Sequence, residues 1–80
     1  MKLFLISQTQ NEDYDSYDSA VVAASDEDIA RQADPATGGM KDWSDKYSSW
    51  CNGPQHVTVR YLGEAVDVDA GIVCASFNAG

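Results

Sequence analysis

The chain has little positive charge. Its 80 residues include five lysines and arginines against 13 aspartates and glutamates, so the formal net charge is −8 at pH 7. A protein that binds nucleic acid directly needs a basic surface that releases counterions from phosphates, and binding to an anionic membrane also needs clustered basic residues. We therefore exclude direct binding to nucleic acid or to an anionic membrane.

Long apolar runs and cysteines are also scarce. No apolar stretch approaches the roughly 20 residues of a membrane helix, and residues 1–7 are too short for the apolar core of a signal peptide. Cys51 and Cys74 are too far apart in sequence for a metal-binding pair, and two cysteines do not make a disulfide framework. These absences predict a soluble cytoplasmic protein, in which a Cys51–Cys74 disulfide is disfavoured.

The remaining pattern predicts one small α+β domain that spans residues 1–80. Apolar residues form four strand-like runs, at residues 2–8, 20–24, 56–62 and 72–78. The first two, joined by a polar connection, are typical of a hairpin. Ser25 is a suitable N-cap for a short helix that ends before Pro35. This order predicts an antiparallel four-stranded sheet with the helix packed on one face.

The segment from residue 36 to residue 54 is less regular. Met40, Trp43, Tyr47 and Trp50 recur at helical spacing. They predict either a loose helical turn or an ordered loop pinned by its tryptophans, packed on the same face as the helix. We expect both tryptophans in the core. If one of them is exposed, it is instead a candidate binding hot spot.

No residue set predicts catalysis, a cofactor or a metal. Cys51 and His56 are close in sequence, but a thiol nucleophile also needs an orienting group and an oxyanion site. We expect Cys74 to be a small core residue in a strand and Cys51 to lie in an exposed turn. Asp67 and Asp69 lack further metal ligands and are typical of a charged strand edge. The sequence therefore predicts a protein that is not an enzyme.

Acidic residues alternate with tyrosines in the connection between the first two strands. An EF-hand loop that started at Asn11 would need glycine at Ser16 and a bidentate acid at Val22, which disfavours a calcium site. Two interpretations remain. The connection is a solvated polar loop, or it is a recognition surface whose tyrosines supply contact area and whose carboxylates attract a basic partner.

A second acidic group lies at the start of the predicted helix, where the helix dipole favours negative charge. If the connection folds beside this helix start, the two groups form one negative patch that can occupy a groove built for phosphates. The candidate partner-binding residues are Glu12, Asp13, Tyr14, Asp15, Tyr17, Asp18, Asp26, Glu27 and Asp28.

Three stretches carry a resemblance to a known family: KLFLISQTQ at the start, YDSYDSAVVAASDEDIAR at residues 14–31, and VCASFNAG at residues 73–80. The chain resembles small acidic proteins of phages and other mobile elements, among them anti-CRISPR proteins of the type I-C class. The resemblance covers both ends of the chain and leaves residues 32–61 unanchored. It implies an inhibitor in the bacterial host cytosol that binds the basic DNA-binding surface of the Cascade surveillance complex and blocks the binding of target DNA to that complex.

The resemblance supplies no catalytic, cofactor or metal residues. The alternative is a phage accessory protein that acts as a protein-interaction module or as a homodimer paired through an edge strand. A metal-binding module ranks below both.

Overall fold

The computed structural model describes residues 1–12, 15–44, 49–66 and 68–78. Its elements are β1 (Lys2–Ser7), β2 (Ser16–Ala24), α1 (Glu27–Arg31), a 3-10 turn (Pro54–His56), β3 (Thr58–Glu64) and β4 (Gly71–Asn78). The strands form one antiparallel sheet in the order β3-β1-β2-β4. The predicted α+β arrangement of four antiparallel strands and one short helix is confirmed.

The β1–β2 hairpin forms the centre of the sheet, and its inward-facing side chains form the core. Across the pair, Phe4 lies opposite Val22 and Ile6 lies opposite Ala20. All four are at most 4% exposed, and they cluster with Trp50 and with Ala30 of α1. We call this side of the sheet the covered face.

The other side of the sheet, which we call the open face, is less well covered. Strand alternation directs Leu3, Leu5 and Val21 towards it. These three side chains are half-buried, whereas their neighbours on the covered face are buried. The sheet therefore has one core face and one partly exposed apolar face.

The helix begins one residue later than the sequence predicts. Asp26, and not Ser25, is the N-cap, and its Oδ1 accepts a hydrogen bond from the backbone N–H of Ile29 at 2.9 Å. Arg31 in the last turn forms a salt bridge with Glu27 at 3.0 Å. A helix of five residues is too short to be stable alone, so the burial of Ala30 against the sheet must hold it.

The helical interpretation of the middle segment is wrong for the residues that the structure describes. Residues 41–44 and 49–53 are turns and bends, and Tyr47 lies outside the described residues. Trp50 is 1% exposed, as expected for a core residue. Trp43 is half-buried, and its Nε1 donates a hydrogen bond to Oε1 of Gln32 at 2.6 Å. The described part of the segment is an ordered loop with both tryptophans packed against the core.

Several strand boundaries also differ from the sequence prediction, and the starts of β2 and β3 are among them. β2 begins at Ser16 and not at Ala20, because its pairing with β4 starts at Ser16, which lies opposite Asn78. β3 begins at Thr58, because the preceding residues Pro54–His56 form the 3-10 turn.

The two cysteines have environments opposite to those predicted, and both are free thiols. Cys51 is fully buried, and its Sγ donates a hydrogen bond to the carbonyl of Gly53 at 3.4 Å. Cys74 is exposed because it lies opposite Val21 and therefore points to the open face. A bulge at Val73 shifts the alternation of β4, and the sequence alone does not reveal that shift.

Candidate functional site

The β1–β2 connection is organised around one buried polar side chain, that of Gln8, which is 3% exposed. Its Nε2 donates hydrogen bonds to the carbonyls of Asn11 and Tyr17, both at 2.8 Å. Its Oε1 accepts a hydrogen bond from the backbone N–H of Asn11, also at 2.8 Å. Because a buried amide is costly to leave unpaired, these bonds fix the path of the connection on both sides.

The connection is also tied to the segment that contains Trp50. The side-chain amide of Asn11 donates to the carbonyl of Trp50 at 3.1 Å, and the backbone N–H of Tyr17 donates to the carbonyl of Ser49 at 2.7 Å. Asp15, immediately before β2, has a left-handed backbone with φ of 63°. We call the described part of the connection, which these hydrogen bonds hold in place, the platform.

This platform presents three exposed carboxylates, Glu12, Asp15 and Asp18, which we call the loop acids. Glu12 and Asp18 line a polar cleft of about 270 Å³ with Gln8 and Ser16. Tyr17 is half-buried and packs against the core, so it contributes more to the scaffold than to a contact surface. Asp13 and Tyr14, also predicted to bind a partner, lie outside the described residues.

A second exposed group lies at the start of α1 and consists of Asp26, Glu27 and Asp28, which we call the helix-end acids. Asp26 and Glu27 line a cleft of about 360 Å³ with Tyr61. The hydroxyl of Tyr61 donates a hydrogen bond to Oε1 of Glu64 at 3.1 Å, and this bond raises the pKa of Tyr61. Glu64 therefore adds a fourth carboxylate at this end of the sheet.

The structure does not bring the loop acids and the helix-end acids into one patch. Asp18 and Ala24 lie in the same strand, where six residue steps of about 3.3 Å separate them by about 20 Å. The helix-end acids follow beyond Ala24. The expected single patch is therefore wrong, because β2 extends the chain between the two groups and places them at opposite ends of the sheet.

The described charges are distributed unevenly between surface and interior. Of the ten carboxylate residues that the structure describes, nine are exposed and only Asp34 is buried. Of the four described lysines and arginines, only Lys2 and Arg60 are exposed. Lys41 is 8% exposed, and its Nζ donates to the carbonyl of Asp42 at 2.9 Å. The accessible surface of the described residues is therefore dominated by negative charge.

Residues 1–12, 15–44, 49–66 and 68–78 hold no cluster of metal-ligating side chains, because no three His, Cys, Asp or Glu side chains among them are grouped in a way that could hold a metal ion. Burial raises the pKa of the Cys51 thiol, which opposes formation of the thiolate, whereas His56 is exposed. Asp69 is exposed, and Asp67 lies outside the described residues.

Sequence reasoning missed two contributors to these surfaces. Gln8 shares the inward parity of Phe4 and Ile6, so its burial was detectable from strand alternation. Glu64 accepts the hydrogen bond of Tyr61, which lines a cleft with Asp26 and Glu27, and no sequence spacing links Tyr61 to these two acids.

Comparison of the chain with protein-family models, with curated proteins and with solved structures gives no match. Among the described residues, no helix has the length and apolar character needed to cross a membrane.

Proposed function

We propose that this protein is a binding inhibitor whose carboxylates occupy a basic, DNA-binding surface of a partner protein. The observation that carries the proposal is the charge asymmetry of the surface, with nine exposed carboxylates against two exposed cationic side chains among the described residues. Such a surface accelerates association with a basic cavity through electrostatic steering. The protein acts by occupying that cavity, and it performs no reaction.

The resemblance to small acidic phage proteins selects the partner. In this proposal the partner is the type I-C Cascade complex in the bacterial cytosol, and the inhibitor competes with target DNA. Two acidic groups about 20 Å apart correspond to about six phosphates of one DNA strand, at 3.4 Å per phosphate. A basic channel that follows a DNA backbone over this length meets negative charge at both ends of the sheet.

The anchored platform supports the loop acids as the principal contact. Because Gln8 and Asn11 hold the described part of the connection, little conformational freedom is lost there on binding. The helix-end acids are already engaged within the molecule, since Asp26 caps α1 and Glu27 pairs with Arg31.

The test is a competition assay with purified type I-C Cascade and a labelled target duplex. We expect saturating inhibitor to reduce DNA binding, and we expect the double variant Asp15→Lys/Asp18→Lys to weaken this inhibition by at least about tenfold. The matched control is Glu64→Lys/Asp69→Lys, which changes the net charge equally at the other end of the sheet and leaves inhibition nearly intact.

Normal DNA binding by Cascade at saturating inhibitor refutes the proposal. Equal loss of inhibition in the two double variants means instead that net charge, and not the platform, determines binding.

A further inference from the structure

The two outer strands of the sheet differ in how their free edges are protected. An outer strand leaves alternate backbone N–H and C=O groups without a partner strand, and natural sheets usually place charge, proline or a bulge on such an edge. Both outer strands have a bulge, at Leu62 in β3 and at Val73 in β4. β3 also carries Arg60 and Glu64, whereas β4, with the sequence GIVCASFN, has neither a charged residue nor proline. The β4 edge therefore lacks the charge that protects β3.

The side chains along β4 are accessible as well. Val73 is 55% exposed, and Cys74 and Ser76 are also exposed. Within the described sheet, β4 pairs with β2 on one side only. The strand thus offers both free backbone groups and uncharged, accessible side chains.

A second copy of this chain is the partner that fits this edge. Two molecules of charge −8 repel each other wherever their carboxylates meet, and the loop acids and helix-end acids lie at the ends of the strands. β4 is a strip without carboxylates along the side of the sheet. A basic partner finds no charge to pair with on this strip, whereas an identical strand related by a two-fold axis pairs with it in antiparallel fashion and satisfies the same groups in both copies.

We propose that the protein forms a homodimer by antiparallel pairing of β4 with β4 of a second copy, which extends the sheet to eight strands. A two-fold axis at Cys74 pairs residues 71–77 of the two copies and places Cys74 directly opposite Cys74 of the second copy. Directly opposed residues of an antiparallel pair have Cα atoms about 4.5–5.5 Å apart, within the range of about 4.4–6.8 Å that a disulfide spans. Cys74 is therefore a natural reporter for this dimer.

One strand edge is a small contact compared with the about 800 Å² per partner of a standard interface. The dimer is therefore weak, and its population rises with protein concentration.

The first test measures molar mass by light scattering over a series of protein concentrations that reaches about 1 mM. A dimer with a dissociation constant as weak as about 1 mM is still detected at that concentration. The variant Val73→Glu should raise the dimer dissociation constant by about tenfold or more, because the two introduced carboxylates are diagonal neighbours about 7–8 Å apart across the strand pair and repel each other. Leu62→Glu is the matched control, since it adds the same charge at the bulge of the other outer strand, where the side chain is 48% exposed. We expect this control to dimerise like the unmodified protein.

The second test uses thiol oxidation by diamide, which takes up two electrons and two protons as two thiols become one disulfide. The Cys51→Ser variant, which keeps Cys74, should form a covalent dimer rapidly. The comparison protein is Cys51→Ser/Cys74→Ser/Leu62→Cys, which carries its single thiol on the β3 edge. It should crosslink only at the rate of random collisions.

A monomer at every concentration overturns the proposal, as do equal effects of the two glutamate variants or equal crosslinking rates of the two thiols. The proposal is independent of the proposed inhibitor function, because salt has opposite effects on the two. Added salt screens the repulsion between two acidic copies and strengthens the dimer, whereas it weakens binding to a basic partner.

Discussion

At the scale of single residues, the polar and apolar side chains that matter most are the ones whose burial is set by strand parity. Phe4, Ile6 and Gln8 share one parity and are all buried, but they do different work. The first two contribute apolar area to the core, whereas the side chain of Gln8 forms hydrogen bonds with the backbone of the connection that carries the loop acids. The alternation of β1, continued one residue past its end, thus supports both the core and the candidate binding surface.

The core role of β1 predicts a large loss of stability for Ile6→Ala. Ile6 is fully buried, and truncation of a buried isoleucine costs about 2–5 kcal/mol of unfolding free energy. Ile29→Ala is the matched control, because Ile29 is 42% exposed on a helix and alanine has the higher helix propensity. Urea unfolding followed by tryptophan fluorescence measures both values. Similar losses in the two variants would contradict the burial assigned to Ile6.

The hydrogen bond from Tyr61 to Glu64 predicts a tyrosine that titrates above its ordinary pKa of about 10. Because the folded pKa is raised, the stabilisation from this group is complete below pH 10 and is lost as the pH rises through the folded value. Absorbance titration of the phenolates should lose a component that titrates above pH 10 in Tyr61→Phe.

The same titration of Glu64→Gln should move this pKa down towards 10, because the carboxylate acceptor is lost. The control Asp69→Asn removes an equal charge and should leave the titration of Tyr61 nearly unchanged. Identical curves for the two carboxylate variants would assign the shift to general charge and not to the hydrogen bond.

At the scale of elements, sequence reasoning succeeded where a local pattern determines structure and failed where pairing determines it. The β1–β2 hairpin and the helix after β2 follow from alternation, turn composition and capping residues. The start of β2 does not, because Ser16 and Tyr17 pair with β4 and not with β1. The exposure of Cys74 likewise depends on a bulge, and the separation of the two acidic groups depends on the length of β2.

The position of the N-cap predicts which of two adjacent residues stabilises α1. Asp26→Ala should lower the unfolding free energy by about 0.5–2 kcal/mol, because it removes the acceptor for the N–H of Ile29. Asp28→Ala removes the same charge without removing a cap, and Ser25→Ala tests the residue that the sequence suggested. Chemical unfolding should rank Asp26→Ala as the most destabilised, and a larger effect of Ser25→Ala would place the cap one residue earlier.

At the scale of the whole molecule, charge is the dominant feature. A net charge of −8 is spread over a body of 34 × 24 × 19 Å. At about 0.01 M salt the Debye length is about 30 Å, so every carboxylate acts on every other across the molecule. This repulsion destabilises the compact state while it favours approach to a basic surface.

Salt should therefore stabilise the fold. Raising sodium chloride from about 0.01 M to about 0.15 M shortens the Debye length from about 30 Å to about 8 Å, and the thermal unfolding midpoint should rise. Asp15→Lys/Asp18→Lys brings the net charge to −4, since each of the two substitutions adds two positive units, and should respond less. A midpoint that does not change with salt would show that the carboxylates are too far apart to repel each other appreciably.

The strand order has a consequence for how the sheet assembles and comes apart. The hairpin lies between the two outer strands, β3 and β4, which we call the flanks. Neither flank therefore pairs with the other. Each flank docks on its own side of an existing β1–β2 pair, and either one can detach while the other stays in place. Amide hydrogen exchange should accordingly show three different rates, one each for the hairpin, β3 and β4, with the slowest exchange in the hairpin. A substitution in one outer strand should change the exchange rate of that strand and leave the rate of the other unchanged.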